Sequence, residues 1–231
     1  KGTAATYSSH EAFGFPVGTV IAKTFAYPED FRAPSEGVRL LETRVLVHQE
    51  TGWIGLPYVW NESQTEAILK LAGGRLDTAW IDDGGVERRH VYLVPNANQC
   101  KGCHEVGEDT TLPIGPKARH LNRAFDYKSG PENQLAHWTA AGILEGAPEP
   151  TAAPRVPVWD DPSSGSVEDR ARTYLDINCA HCHNPGGSGR TTGLDLTYGR
   201  RSDKELGILK FPVAAGRGTG DRSFGVVPGE P

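Results

Sequence analysis

The chain has 231 residues and a net charge of −5, long enough for one domain or two and without the basic surplus of a nucleic-acid binder. No apolar run approaches the roughly 18 residues of a membrane span, and Lys1 does not open a signal-peptide core. No residue is methionine, so the start is expected to arise by processing, while 28 Gly and 17 Pro predict many turns and loops.

Residues 1–94 read as a β-rich domain. Phe13 to Tyr27 is dense in β-branched and aromatic residues broken by Gly and Pro. Val38 to Val47 places Leu41, Thr43, Val45 and Val47 on one parity and the charged Glu42 and Arg44 on the other. Trp53 to Trp60 reads as a further strand, and Asn61 to Ala67 as a turn into a short helix or hairpin. Asp82-Asp-Gly-Gly85 is a hairpin turn before a strand over Arg88 to Val94. A small antiparallel sandwich or meander is the expected arrangement.

Residues 95–146 form the next segment. Asn96-Ala-Asn-Gln99 has the pattern of a capping box opening a helical turn into Cys100-Lys-Gly-Cys-His104. Pro131 is expected to start a helix with Leu135, Trp138, Thr139, Gly142 and Ile143 on one face and His137 off it. Residues 147–165 carry five prolines and little apolar periodicity, which reads as an extended linker. In 166–231, Ser166 to Asp169 starts a second helix, which lines up Val167, Ala171, Tyr174 and Leu175 and runs into Cys179-Ala-His-Cys-His183. An apolar helix face leading straight into such a motif is how a class I cytochrome c domain begins. The Gly186-Gly-Ser-Gly189 loop would let backbone lie close to a bound macrocycle.

Both motifs are Cys-x-x-Cys-His (CxxCH), the attachment site of a c-type haem. On a helical turn, positions i, i+3 and i+4 share a face, so two thiols and an imidazole point at one flat ligand. Cys100, Cys103, Cys179 and Cys182 are then the thioether positions of two covalent haem c groups. His104 and His183 are the proximal iron ligands. All four cysteines of the chain lie in these motifs. A Cys₄ zinc site fits poorly, because 75 residues separate Cys103 from Cys179, against about 15–20 in the usual zinc pattern. Nor would it explain the two histidines, and a thioredoxin-like dithiol needs only one motif. For the distal position of the first haem, histidine is the natural choice: His120 first, then His137, with an open or non-histidine site as the alternative. His181 points about 100–200° away from the Cys179/Cys182/His183 face, so it is expected to be exposed or to touch a neighbouring group. No histidine follows His183. The second distal ligand must then come from earlier in the chain, from a partner or from a continuation beyond Pro231, and a continuation that carries a methionine and a final helix is the expected source.

The chain also resembles a family of exported bacterial di-haem c-type cytochromes. The matching pieces run through most of it in order: Phe15 to Phe25, Tyr58 to Asn61, Val94 to His104, Pro113 to Lys117 with Leu121-Asn122, Asn133 to Leu135, and Arg170 to His183. The resemblance implies a β-rich N-terminal part followed by two haem-carrying segments, in a periplasmic or cell-surface protein. The fold class expected is therefore α+β, with a β-rich N-terminal domain before mainly α, loop-rich haem c segments. The function expected is single-electron transfer between redox partner proteins. The alternative is a haem enzyme, a di-haem peroxidase or small-molecule dehydrogenase with one open iron position. A zinc-stabilised β-rich binding module is the non-redox reading.

Overall fold

The first strand, β1 (Ala5–Thr6), pairs in parallel with Leu144–Glu145, far along the chain. This structure, a computed structural model, describes residues 4–106, 110–200, 202–213 and 222–226. It divides into Pro16–Lys101 and a second unit of Lys1–Phe15 with Gly102–Pro231. The first 15 residues thus leave the strand-rich segment with which their sequence groups them. Backbone bonds from Ala5 to Ile143, Tyr7 to Glu145 and Phe13 to Pro116 make the attachment.

In the first unit, β2 (Val20–Pro28), β3 (Val38–Gln49), β4 (Gly52–Trp60) and β5 (Ala67–Leu69) form an antiparallel meander. The β3–β4 connection is tight, and Gly52 supplies its positive φ of 110°. The register of β2 on β3 slips at Leu41, since Phe25 faces Glu42 whereas Ala26 faces Leu40. Such a bulge breaks the in–out alternation, and both Leu41 and Glu42 are buried. Glu42 is satisfied there: it accepts from Arg44 Nε (2.9 Å) and Nη2 (3.0 Å) and from the Tyr92 hydroxyl (2.7 Å). A hairpin of β6 (Gly74–Ile81) and β7 (Glu87–Val94) follows. Its turn is the one read from Asp82 to Gly85, with Asp82 Oδ1 accepting from Gly84 N (3.0 Å) and Val86 N (2.9 Å).

Helix α1 (Ala97–His104) straddles the division between the units. After it come the short ladder β8 (Glu105–Val106) with β9 (Thr110–Thr111), helix α2 (Ala118–Leu121), and the hairpin β10 (Ala124–Tyr127) with β11 (Gly130–Asn133). Helix α3 (Gln134–Ala140) precedes β12 (Leu144–Glu145), the partner of β1, and α4 (Val167–Asn178) is the last α-helix among the described residues. Strand outweighs helix in the chain, and the second unit itself alternates short helices with two-stranded ladders. Pro131 lies in β11 rather than at a helix start. The cap is Asn133, whose side chain accepts from Leu135 N (2.9 Å), and Leu135 is the buried residue of α3. Around it gather Ala5, Phe13, Ala118, Leu144 and Ala153, with Tyr7 and Trp138 on the flank.

Two expectations about the second unit change. The proline-rich stretch 147–165 is docked rather than extended through solvent. Asn122 Nδ2 donates to Pro150 O (2.8 Å) and Ala153 O (3.0 Å), and Ala153 and Val156 are buried. Most of the anticipated apolar face of α4 is exposed: Val167 is 75% and Tyr174 46% accessible and Ala171 is exposed, only Leu175 packing inward, while Arg172, Thr173 and Asp176 are buried. Polar groups can occupy that face because each finds a partner (Arg172 with Glu168 and the Arg200 carbonyl, Thr173 with the Asp169 carbonyl). The terminal Pro228-Gly-Glu-Pro231 lies outside the described residues.

Candidate functional site

The first motif is set up by its own helix start. Asn96 N donates to Gln99 Oε1 and Gln99 N to Asn96 Oδ1, both at 2.9 Å, the reciprocal capping box its sequence announces. Ala97 N also bonds to the Leu71 carbonyl (3.1 Å). Cys100 backs onto β4 at Gly55, where an added Cβ would meet its Cβ and Sγ at 3.0 Å. Burial pushes the Cys100 thiol up in pKa, and the positive charge of Arg44 opposes this only in part.

His104 closes the motif, and the β8–β9 ladder folds the chain back onto it. Leu112 N donates to the His104 carbonyl (2.9 Å), and His104 Nδ1 lies 2.8 Å from the Leu112 carbonyl. A carbonyl oxygen only accepts, so Nδ1 carries a proton, and in the neutral ring Nε2 then holds the lone pair. This is the tautomer in which an imidazole binds a metal through Nε2, held in place by its other nitrogen.

The second motif lies in the turn just beyond α4. Cys179 N reaches back to Leu175 O (2.9 Å) and His183 N to Cys179 O (2.9 Å), so one helical turn groups Cys179, Cys182 and His183. Ala180 is buried against Leu196 and Leu206 and anchors the turn. The imidazole again has its Nδ1 occupied, 3.1 Å from Thr192 Oγ1. The Thr192 hydroxyl proton is given to Gly189 O (2.7 Å), so Oγ1 is the acceptor and Nδ1 of His183 the donor. The glycine loop lies close to this turn. A Cβ on Gly189 would meet His183 Nδ1 at 2.9 Å and Cys182 O at 3.0 Å, and one on Gly187 would collide with the Cys182 carbonyl. Burial, then the neighbouring Cys182, raise the Cys179 thiol.

Within the second unit the two motifs adjoin. Ser188 Oγ donates to the Gly102 carbonyl (2.5 Å), and Cys182 Sγ lies 3.6 Å from the same oxygen. The sulfurs of Cys103 and Cys182 and a ring nitrogen of His181 all lie within 4.8 Å of one another. That trio could hold a soft metal ion. His181, half-buried, is the contact to a neighbouring group that its helical angle suggests.

The distal candidates are engaged elsewhere. His120 Nε2 is 2.7 Å from Asp176 Oδ2, on α4. The same carboxylate accepts from Arg119 Nε (2.7 Å) and Nη2 (3.0 Å) and from Tyr198 N (3.2 Å). Burial alone would raise Asp176, but the His120 and Arg119 hydrogen bonds and charges outweigh it and hold the carboxyl well below its usual range. His137 Nδ1 is 2.7 Å from Glu132 Oε2, and its ring stacks on Tyr127 at 3.6 Å. The Arg119–His120–Asp176 cluster could not be read from the sequence, because Asp176 lies over 50 positions from Arg119 and His120 along the chain. The supporting oxygens of Leu112 and Thr192 escape it too, since neither residue type signals such a role.

As a donor set, the motifs fit a covalently attached haem: paired thiols one turn apart, each followed by an imidazole in the Nε2-ligating tautomer. No helix among the described residues is long and apolar enough to cross a membrane. No protein-family model, curated protein or solved structure matches the chain.

Proposed function

We propose that this chain is a di-haem c-type cytochrome that passes single electrons between redox partner proteins outside the cytoplasm. In this reading 95–146 and 166–231 are its haem c segments and it belongs with the exported di-haem cytochromes it resembles. The observation that carries the proposal is the pair of Nδ1 hydrogen bonds, His104 to the Leu112 carbonyl and His183 to Thr192. Each fixes Nδ1 as a donor, which makes Nε2 the nitrogen that would face iron, and the same outcome is reached by two different local folds. Haem iron supplies one-electron redox chemistry, while the polypeptide holds each imidazole in orientation and excludes the wrong tautomer. The close approach of Cys103 to Cys182 supports transfer between the two centres, because their attachment points stand side by side. Periplasmic or cell-surface placement follows from where c-type haem is attached.

Intact mass should exceed that of the polypeptide by two haems, and the colour should survive acid–acetone extraction. Colour lost to the organic phase ends the proposal. Zinc in place of iron favours a metal centre at Cys103, His181 and Cys182. A second reading, a haem enzyme with one open coordination position, draws support from the engagement of His120 with Asp176 and of His137 with Glu132. Carbon monoxide binding by one high-spin iron would select it. A fully low-spin spectrum that collapses in His120→Ala would select electron transfer with His120 as ligand.

A further inference from the structure

A cleft of about 370 Å³ in the second unit is lined in part by Glu11, Lys117, Arg119, Arg155 and the Thr197–Gly199 segment. Its basic side chains differ in how they are compensated. Arg119 is fully committed, with two nitrogens on Asp176 and Nη1 on the His10 carbonyl (2.7 Å). Lys117 is half-buried, and among the described residues no carboxylate comes within ion-pair distance of it. Burial first, then the charge of Arg119, push its ammonium down in pKa, while Asp176 and Glu11 oppose this from farther off. Arg155 is exposed and likewise makes no ion pair among the described residues. A half-buried ammonium without a counter-ion is costly, and an anion entering the cleft offsets that cost.

We propose that this cleft binds a small oxyanion (phosphate, sulfate or a short carboxylate), with Lys117 as its inner cation and Arg155 as its outer one. The Thr197–Gly199 part of the lining is tied to the second motif. Leu196 N donates to the His183 carbonyl (2.9 Å), and Tyr198 N to Asp176, three residues ahead of Cys179. Occupancy of the cleft therefore bears on the frame of that motif. The site stands whether or not the motifs carry haem.

Isothermal titration calorimetry on the full chain, with inorganic phosphate, sulfate and succinate as probes, tests the assignment. At least one probe should bind saturably. Lys117→Gln should weaken it roughly tenfold or more, the worth of one charge-assisted hydrogen bond. Lys117→Arg should retain binding, Arg155→Gln should weaken it several-fold, and Lys128→Gln, an exposed lysine in the β10–β11 turn, should leave it unchanged. Arg155 is exposed, so its variant decides the matter even if Lys117→Gln fails to fold. Three results would overturn the proposal: no saturable binding of any probe up to about 10 mM; unaltered binding in Arg155→Gln; or equal weakening in Lys128→Gln.

Discussion

Asp176→Ala should be among the most destabilising single substitutions in the second unit. The Asp176 side chain is fully buried, and it holds Arg119 at 14% and His120 at 10% side-chain exposure. Its removal leaves a buried guanidinium with two donors unpaired and withdraws the acceptor of Tyr198 N. Breaking a buried pair by deleting one partner costs about 3–5 kcal/mol. For a chain of this length each kcal/mol lowers Tm by roughly 2–4 °C, so a fall of about 6–20 °C is expected by differential scanning calorimetry. Replacing the carboxylate together with the guanidinium, as in Asp176→Leu with Arg119→Met, should recover part of the loss, because the buried guanidinium is then removed along with its counter-ion. The pH dependence has a definite sign. The folded carboxyl is held below its unfolded value, so this stability is present above about pH 3.9 and drains away as the pH falls further. Asp176→Ala should flatten that acid limb. A variant whose stability lies within about 0.5 kcal/mol of the parent, the range of an ordinary surface change, would refute the reasoning.

Thr192→Val removes the acceptor of the His183 Nδ1 proton. It should cost about 1–3 kcal/mol and, with the two haems proposed above in place, shift the reduction potential of one centre only, with Thr192→Ser restoring both; two unshifted potentials in a redox titration count against the tautomer assignment. Gly189→Ala should disturb the second motif, since its Cβ would meet the His183 ring and the Cys182 carbonyl; intact mass showing full attachment at both motifs and an unchanged Tm would contradict this. Tyr92 is held protonated by burial and then by Glu42. The stability this gives is present below the ordinary tyrosine value of about 10 and is lost as the pH rises beyond it. Absorbance at alkaline pH should therefore show Tyr92 ionising late, and earlier in Glu42→Gln, where the effect of burial remains but that of the carboxylate is gone.

The sequence alone determined what is local. Thiol and imidazole spacing along one helical turn marks both motifs, the Asn96–Gln99 capping box sets where α1 starts, and Asp82 with Gly85 dictates the β6–β7 turn. Each depends on residues within a few positions, whose chemistry is the same wherever the chain goes. Tertiary structure decided what depends on distant partners. Which face of α4 is buried could not follow from hydropathy, because Asp176 becomes a core residue only once Arg119 and His120 are brought against it. The same holds for Leu112 and Thr192, whose oxygens acquire a role from the fold-back of the chain onto His104 and His183. The apposition of Cys103 and Cys182 and the strand pairing of Ala5 with Leu144 are likewise long-range. A polar side chain's cost or benefit is set by the partner that meets it, and periodicity along one segment carries no record of that partner.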